Sequence, residues 1–210
     1  IGQVGRIDIE MASRFGYVIK PLAIGAELED GSLDLRVHPA LVPISSVLSS
    51  IGGVLNVVVL EGAMLGPCLL SGHGAGALPT AMSVVSDIVD VSRNLLTGAS
   101  GRVPQRAWRG EHLVRRRVRD PGEHACRWYL RFSVLDRPGV LARIAGVLGA
   151  FDVSIERMVQ QGREAQSDAP VQVVMLTHEA REANIRHALR ECQMLTGIVE
   201  PSRALRIEEP

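Results

Sequence analysis

The residues with the clearest chemical potential lie in two short loops. The first reads Ser71-Gly72-His73-Gly74-Ala75-Gly76-Ala77-Leu78, followed by Pro79-Thr80. Alternating glycines strip side chains from the backbone, so its N–H groups can approach an anion or a cofactor closely. The spacing is G-x-G-x-G, not the G-x-G-x-x-G of a dinucleotide fingerprint. The helix that follows leads into an Arg-rich stretch instead of a second strand ending in Asp or Glu. A complete dinucleotide site within this chain is not expected. A tight strand-to-helix turn and a loop that supplies part of a ligand site both stay open. The second loop, Asp136-Arg137-Pro138-Gly139, joins a predicted strand to a predicted helix. Asp136 can cap that helix, while Pro138 and Gly139 shape the turn. The same loop and its backbone N–H groups can also hold a small amino acid at a subunit interface.

Other chemistry finds little support. Lys20 is the sole lysine, so a lysine acid or Schiff base has one candidate. The histidines at 38, 73, 112, 124, 178 and 187 show no i, i+4 pairing with a carboxylate partner, so no metal site is expected. His73 lies in the Gly-rich loop and can touch a ligand, although an exposed loop histidine is the simpler case. Cys68, Cys126 and Cys192 are far apart and odd in number, which disfavours a disulfide framework and fits a reducing cytoplasm. No Ser, Cys or His sits in a nucleophile elbow. Asp87 and Asp90 read as polar-face charges of a helix.

Charge narrows the partners further. Basic and acidic residues number 23 each, so net charge points to neither nucleic acid nor membrane. The Arg run at 115–119 lacks interleaved aromatics and reads as a solvated linker or a salt-bridge strip. No apolar run reaches the ~18 residues of a transmembrane helix, and the N-terminus shows no signal-peptide pattern. With 46% apolar and 22% charged residues, the chain is ordinary for a globular protein of one or two domains. Aromatics are only 3%, so aliphatic packing dominates. The first residue is Ile, so the chain is read as a processed or truncated piece.

These loops need elements to position them. Residues 8–16 predict a short helix with Asp8 as N-cap and Gly16 at its end. A hairpin is expected over 17–37, with Leu33, Leu35 and Val37 facing in and Asp34 and Arg36 facing out. Residues 38–53 read as a loop with a short helix near 45–50. Strands follow at 54–60 and 64–70, so 17–70 is mostly sheet, and a helix runs from Pro79 to about Leu96. Residues 98–127 read as a linker without periodicity. The pattern then restarts: strand 128–135, helix 138–150, strand 152–160, polar loop 161–169, strand 170–177, helix 180–194 and strand 202–207. That order is βαββαβ, a ferredoxin-like unit. The fold class is α+β: a mixed open sheet with helices, then the ferredoxin-like unit. The division is 1–97, linker 98–127, and 128–210.

Taken together, these segments resemble a known family. Phe15-Gly16-Tyr17-Val18-Ile19-Lys20-Pro21-Leu22-Ala23-Ile24, Arg36-Val37-His38-Pro39-Ala40-Leu41-Val42-Pro43, Gly53-Val54-Leu55-Asn56 and the Gly72–Ala81 loop with Ser86-Asp87-Ile88-Val89 resemble the substrate domain of homoserine dehydrogenases. Asp136-Arg137-Pro138-Gly139-Val140-Leu141 resembles the ACT domain that many of these enzymes append. The resemblance implies NAD(P)-dependent interconversion of L-homoserine and L-aspartate 4-semialdehyde, on the route to threonine, methionine and isoleucine. It implies a cytoplasmic homo-oligomer, a dimer or tetramer, with L-threonine as effector. Gly74, Ala75 and Gly76 match the cofactor-proximal positions. Asp136, Gly139 and Val140 match the effector loop, and Ser154 stands where many ACT domains have Asn. The family's Rossmann domain and its Asp-x-x-x-Lys segment are not found in this chain, and Lys20 matches a strand lysine rather than the catalytic one. No catalytic residue is therefore assigned, and the isolated chain is expected to be inactive. In the full enzyme the 79–96 helix packs on the nucleotide-binding domain, so here an exposed apolar face is expected. A free-standing amino-acid sensor and a purely structural oligomerisation module remain the alternatives.

Overall fold

The computed structural model describes residues 4–99, 113–161 and 170–209. In chain order the elements are α1 (Arg6–Arg14), β1 (Tyr17–Glu27), β2 (Leu33–Pro43), β3 (Leu55–Gly62), β4 (Gly66–His73), α2 (Ala77–Leu96), β5 (Ala125–Val134), α3 (Val140–Ala150), β6 (Ile155–Gln161), β7 (Val171–Thr177), the two-residue β8 (Ala180–Arg181), α4 (Glu182–Gln193) and β9 (Arg203–Ile207). They form two compact units. One joins the described residues up to Ser49 with those from Arg116 onward; the other holds the described residues from Ser50 to Arg115.

The first unit is built on a mixed sheet in the order β1-β2-β9-β5-β7-β6. Its β5-α3-β6-β7-α4-β9 portion is the expected ferredoxin-like arrangement. β5 lies between β7 and β9, and every residue from Trp128 to Val134 is buried. Side chains alternate across a strand, so β5 serves two cores. Trp128, Leu130, Phe132 and Val134 pack with Ile144 and Leu148 of α3 and Ile185, Ala188 and Cys192 of α4. On the other face Tyr129, with Val174, Leu176 and Ile207, meets Met11 and Ala12 of α1 and Leu41 of β2. The amino-terminal helix and hairpin thus close the face that a ferredoxin-like unit leaves open. Burying one side chain such as Met11 contributes about 1.5–3 kcal/mol.

A buried charge is set into this second core. Asp8 accepts hydrogen bonds from Tyr129 Oη at 2.9 Å and from Arg131 Nε at 2.7 Å. Asp8 and Arg131 are both buried. Burial, followed by the carboxylate of Asp8, raises the Tyr129 phenol well above its ordinary value, so it stays a donor. Asp8 also accepts the Gly5 N–H at 2.8 Å. It is therefore three positions inside a helix that begins after Gly5, not the N-cap expected from sequence. Gly16 follows α1 at φ +84°, the left-handed conformation that ends a helix cheaply with glycine.

Several sequence expectations shift. β2 runs on through His38 to Pro43, because Leu41 and Ala40 are pinned between β1 and β9. Its polarity is inverted: Asp34 is buried and Arg36 nearly so, while Leu35 and Val37 are 53% and 85% exposed. The buried charges survive there because each meets opposite charge. Residues 117–119, within the segment read as linker, pair with the start of β2. The Leu33 N–H donates to Arg117 O and the Arg119 N–H to Leu33 O, both at 2.8 Å. β5 starts at Ala125. Residues 100–112 and 162–169 lie outside the described residues. The sheet read over 17–70 is split: β1 and β2 join the ferredoxin-like strands, while among the described residues β3 and β4 pair with each other alone.

The second unit is that antiparallel hairpin and α2. No residue of α2 is buried. Val84, Val85 and Ile88, which fall on one helical face as expected, are 52%, 55% and 59% exposed.

Breaking the buried pair tests the first unit. Asp8→Ala strands the Arg131 guanidinium in a core, which costs about 3–5 kcal/mol. Urea unfolding should show a lower midpoint at unchanged slope. Asp8→Ala/Arg131→Met should recover much of the loss, since no unpaired charge remains. A double mutant as unstable as the sum of its singles would count against the pair.

Candidate functional site

β5 ends at Val134, where its backbone is still held: Leu135 N–H donates to Gly197 O at 2.8 Å. The chain then turns sharply, with Arg137 N–H donating to Leu135 O at 2.8 Å across Asp136. Gly139 sits at φ +84° and is the N-cap of α3. A residue with Cβ is strained in that conformation, so glycine is required by the turn itself. Asp136 is not the helix cap; Gln160 Nε2 of β6 donates to its carboxylate at 3.3 Å.

A cleft of about 340 Å³ opens over this loop, with Asp136, Gly139, Val140 and Gln160 in its wall. The first-turn amides of α3 point toward it, since helix N–H groups face the N-terminus and lack intrahelical acceptors there. An amino acid carries a carboxylate and an ammonium. The helix N-terminus favours the first and the Asp136 carboxylate the second. Three of the four expected effector residues, Asp136, Gly139 and Val140, are thus brought together. Ser154 is not. It precedes β6 at the strand end away from Gln160, where its carbonyl accepts the His178 N–H at 2.9 Å. The neighbour that lines the cleft is Gln160, whose place at the far end of β6 depends on strand length and pairing.

The Gly-rich loop lies in the second unit, between β4 and α2. Gly74 N–H donates to Val54 O at 3.1 Å, and Gly76, at φ +117°, caps α2. A Cβ on Gly74 would lie 1.3 Å from Asn56 Nδ2. A side chain at 74 would displace the Asn56 amide of β3, while glycine at 76 is favoured by the backbone itself. Gly74, Ala75 and Gly76 form a bare strand-to-helix turn at the N-terminus of α2. His73 ends β4 and is exposed.

A third constellation escaped the sequence reading. Arg36 Nη1 lies 2.7 Å from Asp34 Oδ2, and its Nη2 lies 3.2 Å from Glu208 Oε2. The same Nη1 lies 2.6 Å from Nδ1 and 3.0 Å from Nε2 of His124. His38 Nε2 lies 3.4 Å from Glu208 Oε1. Burial would raise the Glu208 carboxyl, but His38 and Arg36 hold it below its ordinary value. Burial and then Arg36 lower the His124 imidazole. Burial pushes the neighbouring Cys126 thiol up to about 12, so it is not a nucleophile at neutral pH. The available signal was polar residues at alternate positions 34, 36 and 38 of one strand. The expected hairpin stops at 37 with His38 in a loop, and the partners of Asp34 and Arg36 come from distant sequence. Nearby, Glu182 pairs with both Arg186 and Arg206. Arg206 also stacks over Trp128 at 5.3 Å. Among the described residues no group of His, Cys, Asp and Glu could hold a metal ion. No described helix is long and apolar enough to cross a membrane.

A ferredoxin-like unit with an amino-acid-sized cleft over its first strand–helix loop defines a small-molecule-binding regulatory domain. Here it shares the chain with a further set of helices and strands. Comparison with known proteins gives both parts their family. Residues 1–89 match the sequence model of homoserine dehydrogenase, and residues 128–192 match that of the ACT domain. The homoserine dehydrogenase of Neisseria gonorrhoeae is 36% identical over 208 residues, 99% of this chain and 47% of that protein. That of Pseudomonas aeruginosa is 34% identical over 209 residues, 100% of this chain and 48% of that protein. The crystal structure of a homoserine dehydrogenase from Thiobacillus denitrificans superposes with a TM-score of 0.84 at 34% identity, covering 100% of this chain and 46% of that one. The chain is thus similar to homoserine dehydrogenases along nearly its whole length, matches the ACT domain model over 128–192, and spans about half the length of the relatives it matches.

The Gly74–Asn56 contact makes a test. Gly74→Ala should force the loop off Asn56 and expose it to limited proteolysis. Adding Asn56→Ala removes the obstructing amide and should restore protease resistance. Equal resistance in wild type and Gly74→Ala would mean that the contact does not hold the loop.

Proposed function

We propose that this chain is part of an NAD(P)-dependent homoserine dehydrogenase. The enzyme interconverts L-homoserine and L-aspartate 4-semialdehyde on the route to threonine, methionine and isoleucine. It is a cytoplasmic homo-oligomer, dimer or tetramer, regulated by L-threonine at the ACT domain. The observation that carries the reading is the continuous likeness of 99–100% of the chain to enzymes of that name. The reading divides the chain into substrate domain 1–97, connecting segment 98–127 and ACT domain 128–210; the family-model matches over 1–89 and 128–192 support it.

Within this frame the Gly74–Gly76 turn and the α2 N-terminus present backbone donors without side-chain bulk. That fits one wall of a nicotinamide nucleotide site and no more. The nucleotide, when bound, supplies or accepts the hydride. The residues of this chain would exclude bulk from its edge and orient it through amides. The proton donor and the remainder of the nucleotide site would have to come from outside the 210 residues. At the ACT cleft, Asp136 takes the effector ammonium and the α3 amides take its carboxylate, with Gly139 keeping the entrance clear.

Three measurements bear on this. The 210-residue chain should not oxidise NADPH in the presence of aspartate semialdehyde; steady turnover would overturn the assignment of its machinery elsewhere. L-threonine near 100-fold its Kd should stabilise the chain by about 2.7 kcal/mol, a Tm rise of a few degrees. Gly139→Asp, which sets a carboxylate beside the expected ligand carboxylate, should abolish that rise. A wild-type chain unmoved by threonine would remove it as the effector. Finally, the native gene product should exceed 22.7 kDa by about 200 residues, the size of one further domain. A product of 22.7 kDa would favour a free-standing regulator.

A further inference from the structure

The segment α1–β1–β2 meets the ACT strands in two places: the core under α1, with Asp8 on Arg131, and the edge where β2 runs beside β9. Among the described residues the β2–β9 ladder is Ala40↔Arg206 and Leu41↔Ile207. One backbone bond extends it, from Glu208 N–H to Leu41 O at 2.9 Å. Two parallel pairs are little ladder for a junction inside one sheet. The side chains that flank this edge are the cluster of Asp34, Arg36, His38, His124 and Glu208.

The cluster is tightly balanced. Asp34 is shared by Arg36 at 2.7 Å and Arg119 at 3.5 Å. Glu208 is shared by Arg36 and His38. Arg206 on β9 is taken by Glu182. Cys126 on β5 is buried as a neutral thiol. His124 is the remaining group that faces Arg36, and as neutral imidazole it accepts from the guanidinium. It lies 3.5 Å from Asp34 and 4.0 Å from Glu208, both already occupied by arginine. Three buried atoms here, Arg36 Nε, His38 Nε2 and Glu208 Oε1, make no hydrogen bond. Burial and Arg36 oppose a charge on His124, and they outweigh the opposite pull of Glu208 and Asp34.

We propose that His124 is an acid-sensitive pin for this seam. Neutral, it holds Arg36 and so keeps β2 on β9. Protonated, it changes from acceptor to second cation against Arg36, and the two-pair ladder loosens. The segment that carries the amino-terminal helix and hairpin is then less firmly joined to the ACT sheet. The direction follows from proton linkage: a histidine lowered on folding from its ordinary 6.5 contributes stability at neutral pH. That contribution is lost as pH falls from 6.5 through the folded-state value. Glu208, lowered from 4.5, acts only below that pH, so the window between the two belongs to the imidazole.

Hydrogen exchange by mass spectrometry on the 210-residue chain between pH 7 and 5, corrected for intrinsic exchange chemistry, reads the seam directly. In wild type, peptides spanning 39–42 and 205–208 should lose protection by up to about tenfold per pH unit, the limit for one proton. Peptides of β7 should not change. His124→Asn keeps a neutral acceptor for Arg36 but cannot titrate, so its profile should be flat; His38→Gln should keep the wild-type response. An acid response retained in His124→Asn, abolished in His38→Gln, or shared equally by β7 would overturn the proposal. A variant-free check is an NMR titration of wild type. The His124 imidazole and the Leu41 and Ile207 amides should share one midpoint below 6.5, and unrelated midpoints would overturn the assignment.

Discussion

The first unit depends on one buried pairing, the Asp8 carboxylate held by Arg131 and Tyr129 of the central strand. An ACT-type sheet has one face covered by its two helices and the other open. β5 cannot present aromatic and charged groups to water on that second face and remain buried along its whole length. Here α1 covers it, and Asp8, at the third position of that helix, is the acid that neutralises Arg131. The arrangement makes the covering helix specific: an apolar helix without that carboxylate would bury an arginine uncompensated. It also explains why the ferredoxin-like strands and the amino-terminal residues compact together although more than 70 residues of sequence separate them.

The same strand serves the ligand cleft. β5 carries Tyr129 and Arg131 in its middle and delivers Leu135 and Asp136 at its end. Ser133 between them accepts from Gln172, which itself accepts from Arg131 at 3.0 Å. The contacts that secure α1 and those that set the entrance to the cleft are therefore on one rigid element. The second unit is built on different terms. Its hairpin and α2 satisfy their backbone hydrogen bonds locally, yet their apolar side chains stay open within the unit. Such a surface is stable only with further cover, in keeping with a chain that spans about half the length of its relatives.

Local signals in the sequence were legible where neighbours decide the outcome. The βαββαβ order could be read because each strand and helix has its own period and breaker. The Asp136–Gly139 loop could be read because its turn chemistry is local. Reading failed where distant residues decide. Leu35 and Val37 alternate with Asp34 and Arg36, and transfer free energy alone puts the aliphatic side chains inside. The fold does the reverse because Glu208, Arg119 and His124 supply charge partners from far along the chain. Ser154 was placed by analogy with a strand start, whereas the cleft is lined from the strand's other end, by Gln160.

Those failures share a cause that also bears on how the molecule works. The misread polarity of β2 and the misplaced cap at Asp8 lie where the amino-terminal segment meets the ACT strands. A regulatory domain tethered by a flexible linker would leave both partners readable alone, since each would complete its own core. Here β2 is completed by β9, and the open sheet face by α1. The polar groups that look solvent-facing in each segment are the ones that recognise the other. Burying charge costs several kcal/mol per ion unless it is matched. An interface made of matched buried charges therefore tolerates one register and rejects its neighbours. Sliding by one residue would unpair Asp34, Arg36 and Glu208 together.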